Sequence, residues 1–226
     1  MAERFVYYVD EKDNFCKKKV TFKWYSGFAT VQKQKSFHEL HKAFLEEFPT
    51  YKVLEVSSVS NIDWAQKVSA FNLKVKTSKG TYSVEQVFQA GKVFEEAGSQ
   101  EKILHLSPKL AQAITRKLVK NDNLKGFMIF GEIFPLEPKT LFYNWIYLHA
   151  LHQNELLANK VAEYAAFTDI YFNPEKQINC QAEACAIYVS LTRRKLLDEA
   201  LSNIDNFKRI IYGIPTNDYE QIDLFK

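Results

Sequence analysis

Between Tyr82 and Phe94 the chain reads YSVEQVFQAGKVF, and three polar residues in that run could do chemistry together. Ser83, with Gln86 three positions on, is a helix-start signal of the capping-box kind. At about 100° per residue, Glu85, Gln89 and Lys92 then fall within one narrow stripe. Val84, Val87, Phe88, Ala90, Gly91 and Phe94 occupy the adjoining face. A carboxylate, an amide and an amine thus line the edge of a helix that otherwise faces the core. Glu85 lies in the first turn, where unpaired backbone N–H groups favour an ionised carboxylate. Burial would push the other way, toward general acid–base use. Lys92 would lie two turns on, about 10 Å along the axis. An amine held beside apolar residues such as Phe88 can lose its proton and act as a nucleophile. The pattern alone is weak, because acids and bases on one exposed helix face are common.

The elements that must position this stripe are readable in outline. Arg4–Val9 and Lys19–Tyr25 are aromatic and β-branched and read as strands, separated by the turn-like Asp10–Asn14. Ser36, with Glu39 behind it, opens a helix that runs to about Phe48 and ends at Pro49. Lys52–Ser57 and Phe71–Thr77 are further strands, the latter closing on Ser78-Lys79-Gly80. Helices are expected over 84–97, 108–120, 139–152, 154–165, 181–192 and 195–207, with a short strand at Asp169–Phe172. The expected fold is α+β, a mainly helical body with a small antiparallel sheet formed mainly by the N-terminal third. A chain of 226 residues suits one domain. It divides into an extension over 1–50, a core over about 50–207 and a tail over 208–226. Gly131–Pro138, with two prolines, reads either as a rigid wall or as a plain connection.

Composition narrows the class. Hydrophobic content of 46% with 25% charged residues is that of a globular protein. No apolar run reaches about 18 residues, so no membrane span is expected. The first residues lack the apolar region of a signal peptide. Cys16, Cys180 and Cys185 have no metal-ligand spacing, which favours reduced thiols and a cytoplasmic location. His38 and His41 lack a third ligand nearby, and His149 and His152 belong to an aromatic packing stripe. Seven glycines provide no GxGxxG loop. No metal and no cofactor are expected. The net charge of +3 does not by itself indicate nucleic-acid binding. Basic clusters do occur at Lys17-Lys18-Lys19, Lys33 with Lys35, Arg116-Lys117 with Lys120, and Arg193-Arg194-Lys195. Each is ordinary solvated surface unless two of them flank the Glu85 stripe.

The spacing Glu85-x3-Gln89-x2-Lys92 resembles the signature of the NADAR (YbiA-like) family, Trp-Pro-Thr-x-Glu-x-x-Tyr-Gln-Ala-x-Lys-Phe. Ser83, Glu85, Phe88, Gln89, Ala90 and Lys92 answer to it. Thr81-Tyr82 stands in place of Trp-Pro, and Val93 intervenes before Phe94. Val68-Ser69-Ala70-Phe71 resembles the family's Leu-Ser-Asn-Phe, and Leu106-Ser107-Pro108-Lys109-x-Ala111 its following helix start. Ser69-Ala-Phe-Asn-Leu73, Phe130-Gly-Glu-Ile-Phe-Pro-Leu-Glu-Pro-Lys-Thr140, and Ala166-Phe-Thr-Asp169 through Ile178-Asn-Cys-Gln-Ala182 look like the branch paired with DarT toxins. The resemblance covers roughly residues 50 to 205.

That resemblance implies an N-glycosidase. In the DarT-associated branch the substrate is DNA carrying ADP-ribose on the guanine amino group, and the protein is an antitoxin whose partner is a DarT-type toxin. Glu85 and Lys92 would be catalytic. Gln89, Phe71, Ser69, Asn72, Asp169 and Asn179 would bind substrate, Phe71 by stacking on a base or adenine ring. Two routes fit: Glu85 activates water against an oxocarbenium-like centre, or Lys92 forms an imine with the opened sugar. The second is preferred, because the lysine has no clear task in the first. Alternatives are an N-glycosidase acting on a ribosylamino-pyrimidine phosphate of riboflavin synthesis, and a non-catalytic immunity protein that binds toxin or modified DNA.

Overall fold

The computed structural model describes residues 1–215. It begins with β1 (Ala2–Val9), paired antiparallel along its whole length with β2 (Phe15–Phe22). Asp10 sets the turn between them by accepting the Lys12 and Asn14 N–H groups at 2.9 and 2.7 Å. α1 (Thr30–Glu47) packs Phe37, Leu40 and Phe44, three to four residues apart and each at most 1% exposed, against this sheet. β3 (Val53–Glu55) and α2 (Asp63–Gln66) follow, then the hairpin β4 (Lys74–Thr77) and β5 (Gly80–Ser83). α3 (Val84–Ala90) runs directly from that hairpin into β6 (Lys92–Phe94), β7 (Gly98–Ser99) and a 3-10 turn at Glu101–Ile103. Next come α4 (Pro108–Asn121), the hairpin β8 (Leu124–Ile129) and β9 (Glu132–Phe134), α5 (Leu141–His152) and α6 (Glu155–Ala162). β10 (Ala166–Thr168), α7 (Gln181–Arg193), α8 (Leu197–Ser202) and α9 (Ile204–Tyr212) complete it.

The fold class is α+β, with helices around small sheets. The first sheet has the order β2-β1-β10-β3. It draws three strands from the N-terminal third and inserts β10 between them, antiparallel to β1 and parallel to β3. A second four-stranded sheet, β7-β6-β8-β9, comes from the middle of the chain. α5 and α7 are buried along nearly their whole lengths, as central helices must be. Tyr147 on α5 satisfies its hydroxyl by donating to the Val68 carbonyl at 2.7 Å. Cys180 and Cys185 are buried thiols at the start of α7.

Several elements differ from the sequence expectation. The helix expected over 84–97 stops at Ala90, and Lys92 begins a strand. The segment 131–138 contains β9, and β8 lies where no strand was expected. α1 begins at Thr30, not Ser36; the buried Ser36 hydroxyl instead accepts the Tyr25 N–H and donates to the Gln32 carbonyl, each at 2.9 Å. The late strand lies at 166–168, three residues before its expected place, and Phe71 and Asn72 lie in the turn before β4. The helix expected over 195–207 is two helices, so residues 208–212 of the expected tail are helical. Residues 216–226 of that tail lie outside the described residues.

Candidate active site

α3 starts as its sequence predicts. Ser83 Oγ accepts the Gln86 N–H at 3.2 Å, and Gln86 Oε1 accepts the Ser83 N–H at 2.9 Å. Gln86 Nε2 also donates to the Leu106 carbonyl at 2.7 Å, fastening α3 to the segment leading into α4. The Glu85 N–H donates to the Ala70 carbonyl at 2.9 Å, so the first turn of α3 is tied to the 69–72 turn. These bonds use the free backbone donors of a seven-residue helix that is too short to hold itself.

Glu85 and Gln89, 6% and 5% exposed, lie one turn apart on α3. Gln89 Nε2 donates to Glu85 Oε1 at 2.8 Å, and Gln112 Nε2 from α4 donates to the same oxygen at 3.0 Å. Lys92 Nζ donates to Gln89 Oε1 at 2.7 Å, and the Thr115 hydroxyl donates to that oxygen as well. Arg116 Nη2 closes the row by donating to Gln112 Oε1 at 3.0 Å. With its oxygen taken by two donors, Gln89 can only turn its NH2 toward Glu85, which fixes the amide orientation.

Lys92 therefore belongs to the row, though not on the helix that the spacing predicts. The chain leaves α3 at Gly91, and Lys92 pairs with Phe127 as the first residue of β6. Gly91 has ordinary helical φ, so its absent side chain matters for space: a Cβ there would lie 2.5 Å from Phe142 Cζ. α5 crosses too close to admit a side chain there without displacing that ring.

Burial pushes the Glu85 carboxyl above its ordinary range, opposed by the Gln89 and Gln112 hydrogen bonds and by the charges of Lys92 and Arg116. Burial brings Lys92 down to about 8; Glu85 opposes that shift and the Arg116 charge adds to it. The Lys92 ammonium lies 4.9 Å from the centre of the Phe88 ring.

The row opens onto a cleft of about 1080 Å³. All eight residues singled out in the sequence line it: Glu85, Gln89, Lys92, Ser69, Phe71, Asn72, Asp169 and Asn179. Ser69 is buried, and its carbonyl accepts the Asn72 and Leu73 N–H groups at 2.8 and 2.7 Å. Asn72 spends its NH2 on the Gln66 carbonyl at 2.8 Å, leaving its oxygen for other donors. Asn179 Oδ1 is buried without any hydrogen-bond partner. Asp169 accepts the Tyr171 N–H at 3.0 Å, and burial pushes its carboxyl up. Leu136, Glu137 and Lys139 line the cleft, so the proline-bounded segment is a wall of it, whereas Glu132 on β9 does not face it.

Sequence reasoning missed how this site is held together, and named Arg116 only as part of a basic cluster. Gln112, Thr115 and Arg116 are spaced i, i+3 and i+4 on α4, and that spacing was the available signal. Gln181 accepts the Ala70 N–H at 2.8 Å and joins the 69–72 turn to α7. Glu55 at the end of β3, 2% exposed, accepts from the Thr168 hydroxyl at 2.7 Å and the Ile170 N–H at 3.0 Å, on either side of Asp169. His41 Nε2 lies 2.7 Å from Thr168 Oγ1, and the two histidines of α1 join no metal-binding group. Among the described residues no cluster of three or more His, Cys, Asp or Glu could hold a metal ion, and no helix is long and apolar enough to cross a membrane.

A family model described as DarT1-associated NADAR antitoxin matches residues 2–221. The match takes in the first fifty residues, whose strands share a sheet with β10, as well as the cleft. No curated protein matches the chain.

Proposed function

The chain belongs to the family of DarT1-associated NADAR antitoxins, and on that premise we propose that it is an N-glycosidase that removes ADP-ribose from the guanine amino group of DNA, reversing the work of a DNA ADP-ribosyltransferase toxin. The observation that carries the reading is the row Lys92–Gln89–Glu85 at the cleft wall. It joins an amine whose pKa is about 8 to a carboxyl raised by burial, through one oriented amide.

The cleft suits such a substrate. At about 1080 Å³ it lies just above the usual span of small-ligand sites, about 300–1,000 Å³. That favours an ADP-ribosylated nucleotide over the smaller ribosylamino-pyrimidine phosphate. Lys109, Arg116, Lys139 and Lys176 line it and provide cations for a pyrophosphate. Phe71 and Tyr143 offer aromatic faces. The unpartnered Asn179 oxygen fits a ribose hydroxyl donor.

The chemistry proceeds through Lys92. The lone pair of the glycosidic nitrogen opens the ribose ring, leaving a protonated C=N bond at the anomeric carbon while the ring oxygen takes the proton of Glu85, whose pKa burial raises. The neutral Lys92 amine adds to that carbon and passes its proton by way of Glu85 to the guanine nitrogen. Guanine departs with its amino group restored, and water hydrolyses the lysine imine to ADP-ribose and the free amine.

The test is release of ADP-ribose from a guanine-modified oligonucleotide by wild type, Glu85→Gln and Lys92→Ala. Wild-type turnover is expected, with losses of about 10²-fold or more in each variant. Borohydride should trap a sugar adduct on the wild type alone. Turnover without a trappable adduct would move the chemistry to Glu85 and water. A well-folded wild type with no turnover would overturn the reading.

A further inference from the structure

Away from the active-site row, one surface concentrates charge and aromatic rings in a way the glycosidase chemistry does not use. From Asn14 to His38 the sequence holds six lysines and no Asp or Glu, although the whole chain is only +3. Lys18 and Lys19 are neutralised by Glu47 and Glu3. Lys23, Lys33 and Lys35 have no acidic partner among the described residues and lie against rings instead. Lys33 Nζ is 4.5 Å from the centre of the Trp24 ring, and the Arg4 guanidinium is 5.3 Å from the same ring. Lys23 and Lys35 lie 5.0 and 5.8 Å from the Tyr25 ring. Phe28, between the two lysine groups, is fully exposed.

This surface adjoins the cleft. Arg4 feels the charges of Asp169, in the cleft wall, and of Glu175, next to the cleft residue Lys176. Gln34 on α1 donates to the Val59 carbonyl at 3.3 Å, beside Ser58, which also lines the cleft. On this side the rim carries Tyr171, 49% exposed.

We propose that the end of β2, the 23–29 segment and the first turns of α1 form a docking track for single-stranded DNA flanking the modified nucleotide, with unpaired bases stacked on Trp24 and Tyr25 and phosphates on Lys23, Lys33 and Lys35. The proposal rests on the reading of the cleft as a site for DNA. Cations track a backbone, and half-buried rings such as Trp24 and Tyr25 take bases on their open faces in any sequence, provided the bases are unpaired. Protein interfaces are depleted in lysine, which argues against the toxin as the occupant.

The experiment measures binding of a fluorescein-labelled, unmodified oligothymidine by anisotropy, at salt from about 50 to about 200 mM. It compares wild type, Lys33→Glu with Lys35→Glu, Trp24→Ala and Trp24→Phe. The double lysine variant should weaken binding at least tenfold and flatten the salt slope by about 1.4, at ~0.7 per phosphate contact on a single strand. Trp24→Ala should weaken it about tenfold, and Trp24→Phe, which keeps a ring, should restore most of that loss. Equal binding by wild type and the lysine variant, or none by wild type, would overturn the track. So would a lysine variant that loses the toxin while keeping oligothymidine. Release of ADP-ribose from a modified guanosine mononucleotide, too short to reach the track, should be unchanged in the lysine variant. Loss of oligothymidine binding with no turnover of any substrate by wild type would keep the track and sink the glycosidase reading. Turnover with unchanged binding would do the reverse.

Discussion

Lys92 donates to the Gln89 side-chain carbonyl at 2.7 Å, and the NH2 of the same amide donates to Glu85 at 2.8 Å. The amine and the carboxyl thus meet through a neutral bridge. A directly paired carboxylate holds a lysine charged, whereas here burial outweighs the Glu85 attraction and lowers the lysine to about 8. The bridge links the two groups by hydrogen bonds without setting the carboxyl directly against the amine.

The pH dependence follows from that value. At pH 7 about a tenth of Lys92 is neutral, against well under a thousandth for a lysine at its ordinary value. The single-turnover rate of ADP-ribose release should rise as pH increases toward about 8 and level off above it. A rate that is flat between pH 6 and pH 9 would exclude deprotonation of Lys92 as the controlling event.

Gln89→Glu tests the bridge. The new carboxylate would still accept from Lys92 and Thr115 and would lose the donor that Glu85 now receives. Two carboxylates beside one amine stabilise its charged form, so the rising limb should move to higher pH. Each unit of displacement lowers the rate at neutral pH about tenfold. A profile that stays in place would show that Gln89 does not set the state of Lys92.

Gly91→Ala addresses how Lys92 is delivered. The added Cβ would stand 2.5 Å from Phe142 Cζ, in a core where the ring is 1% exposed and cannot move aside freely. Overpacking of this kind costs about 1–3 kcal/mol. The strain falls on the residue before Lys92, so activity should drop further than the thermal midpoint implies. Phe142→Leu should recover part of the stability in the double variant, giving a non-additive cycle. Strict additivity would place the damage elsewhere.

The capping box, the Glu85–Gln89 turn and the helical body were legible because they rest on local periodicity. The break after Ala90 was not, because the helical pattern runs on through Lys92 and Val93. What ends the helix is tertiary: Phe142 lies against Gly91, and the Met128 N–H donates to the Gly91 carbonyl at 2.7 Å. The β8–β9 hairpin hid for a related reason. It turns at Phe130 and Gly131, with φ of 55° and 89°, and Phe-Gly lacks the Asn-Gly signature of such turns. Glu55 and Thr168 are 113 residues apart and leave no local trace at all.

Glu55 gives the last prediction, because its carboxyl holds the strand end that presents Asp169. It accepts from the Thr168 hydroxyl and from the Ile170 and Ser57 N–H groups. Burial, helped by the charge of Asp169, raises its pKa well above the carboxylate range. A raised pKa contributes stability that is fully present below the unfolded value, about 4.3, and is lost as pH rises through the folded one. Glu55→Gln stays neutral and can donate to Thr168, so its thermal midpoint should fall less than that of the wild type as pH rises from about 5 to about 9, the buried Asp169 carboxyl accounting for the fall that remains. Glu55→Ala strands the Ile170 N–H and the Thr168 hydroxyl in the core. That should cost about 2–3 kcal/mol, or roughly 4–12 °C in a chain of this size. It should also weaken substrate binding, since Asp169 loses its support. Parallel decline of wild type and Glu55→Gln across that pH range would show that Glu55 ionises without consequence for the fold.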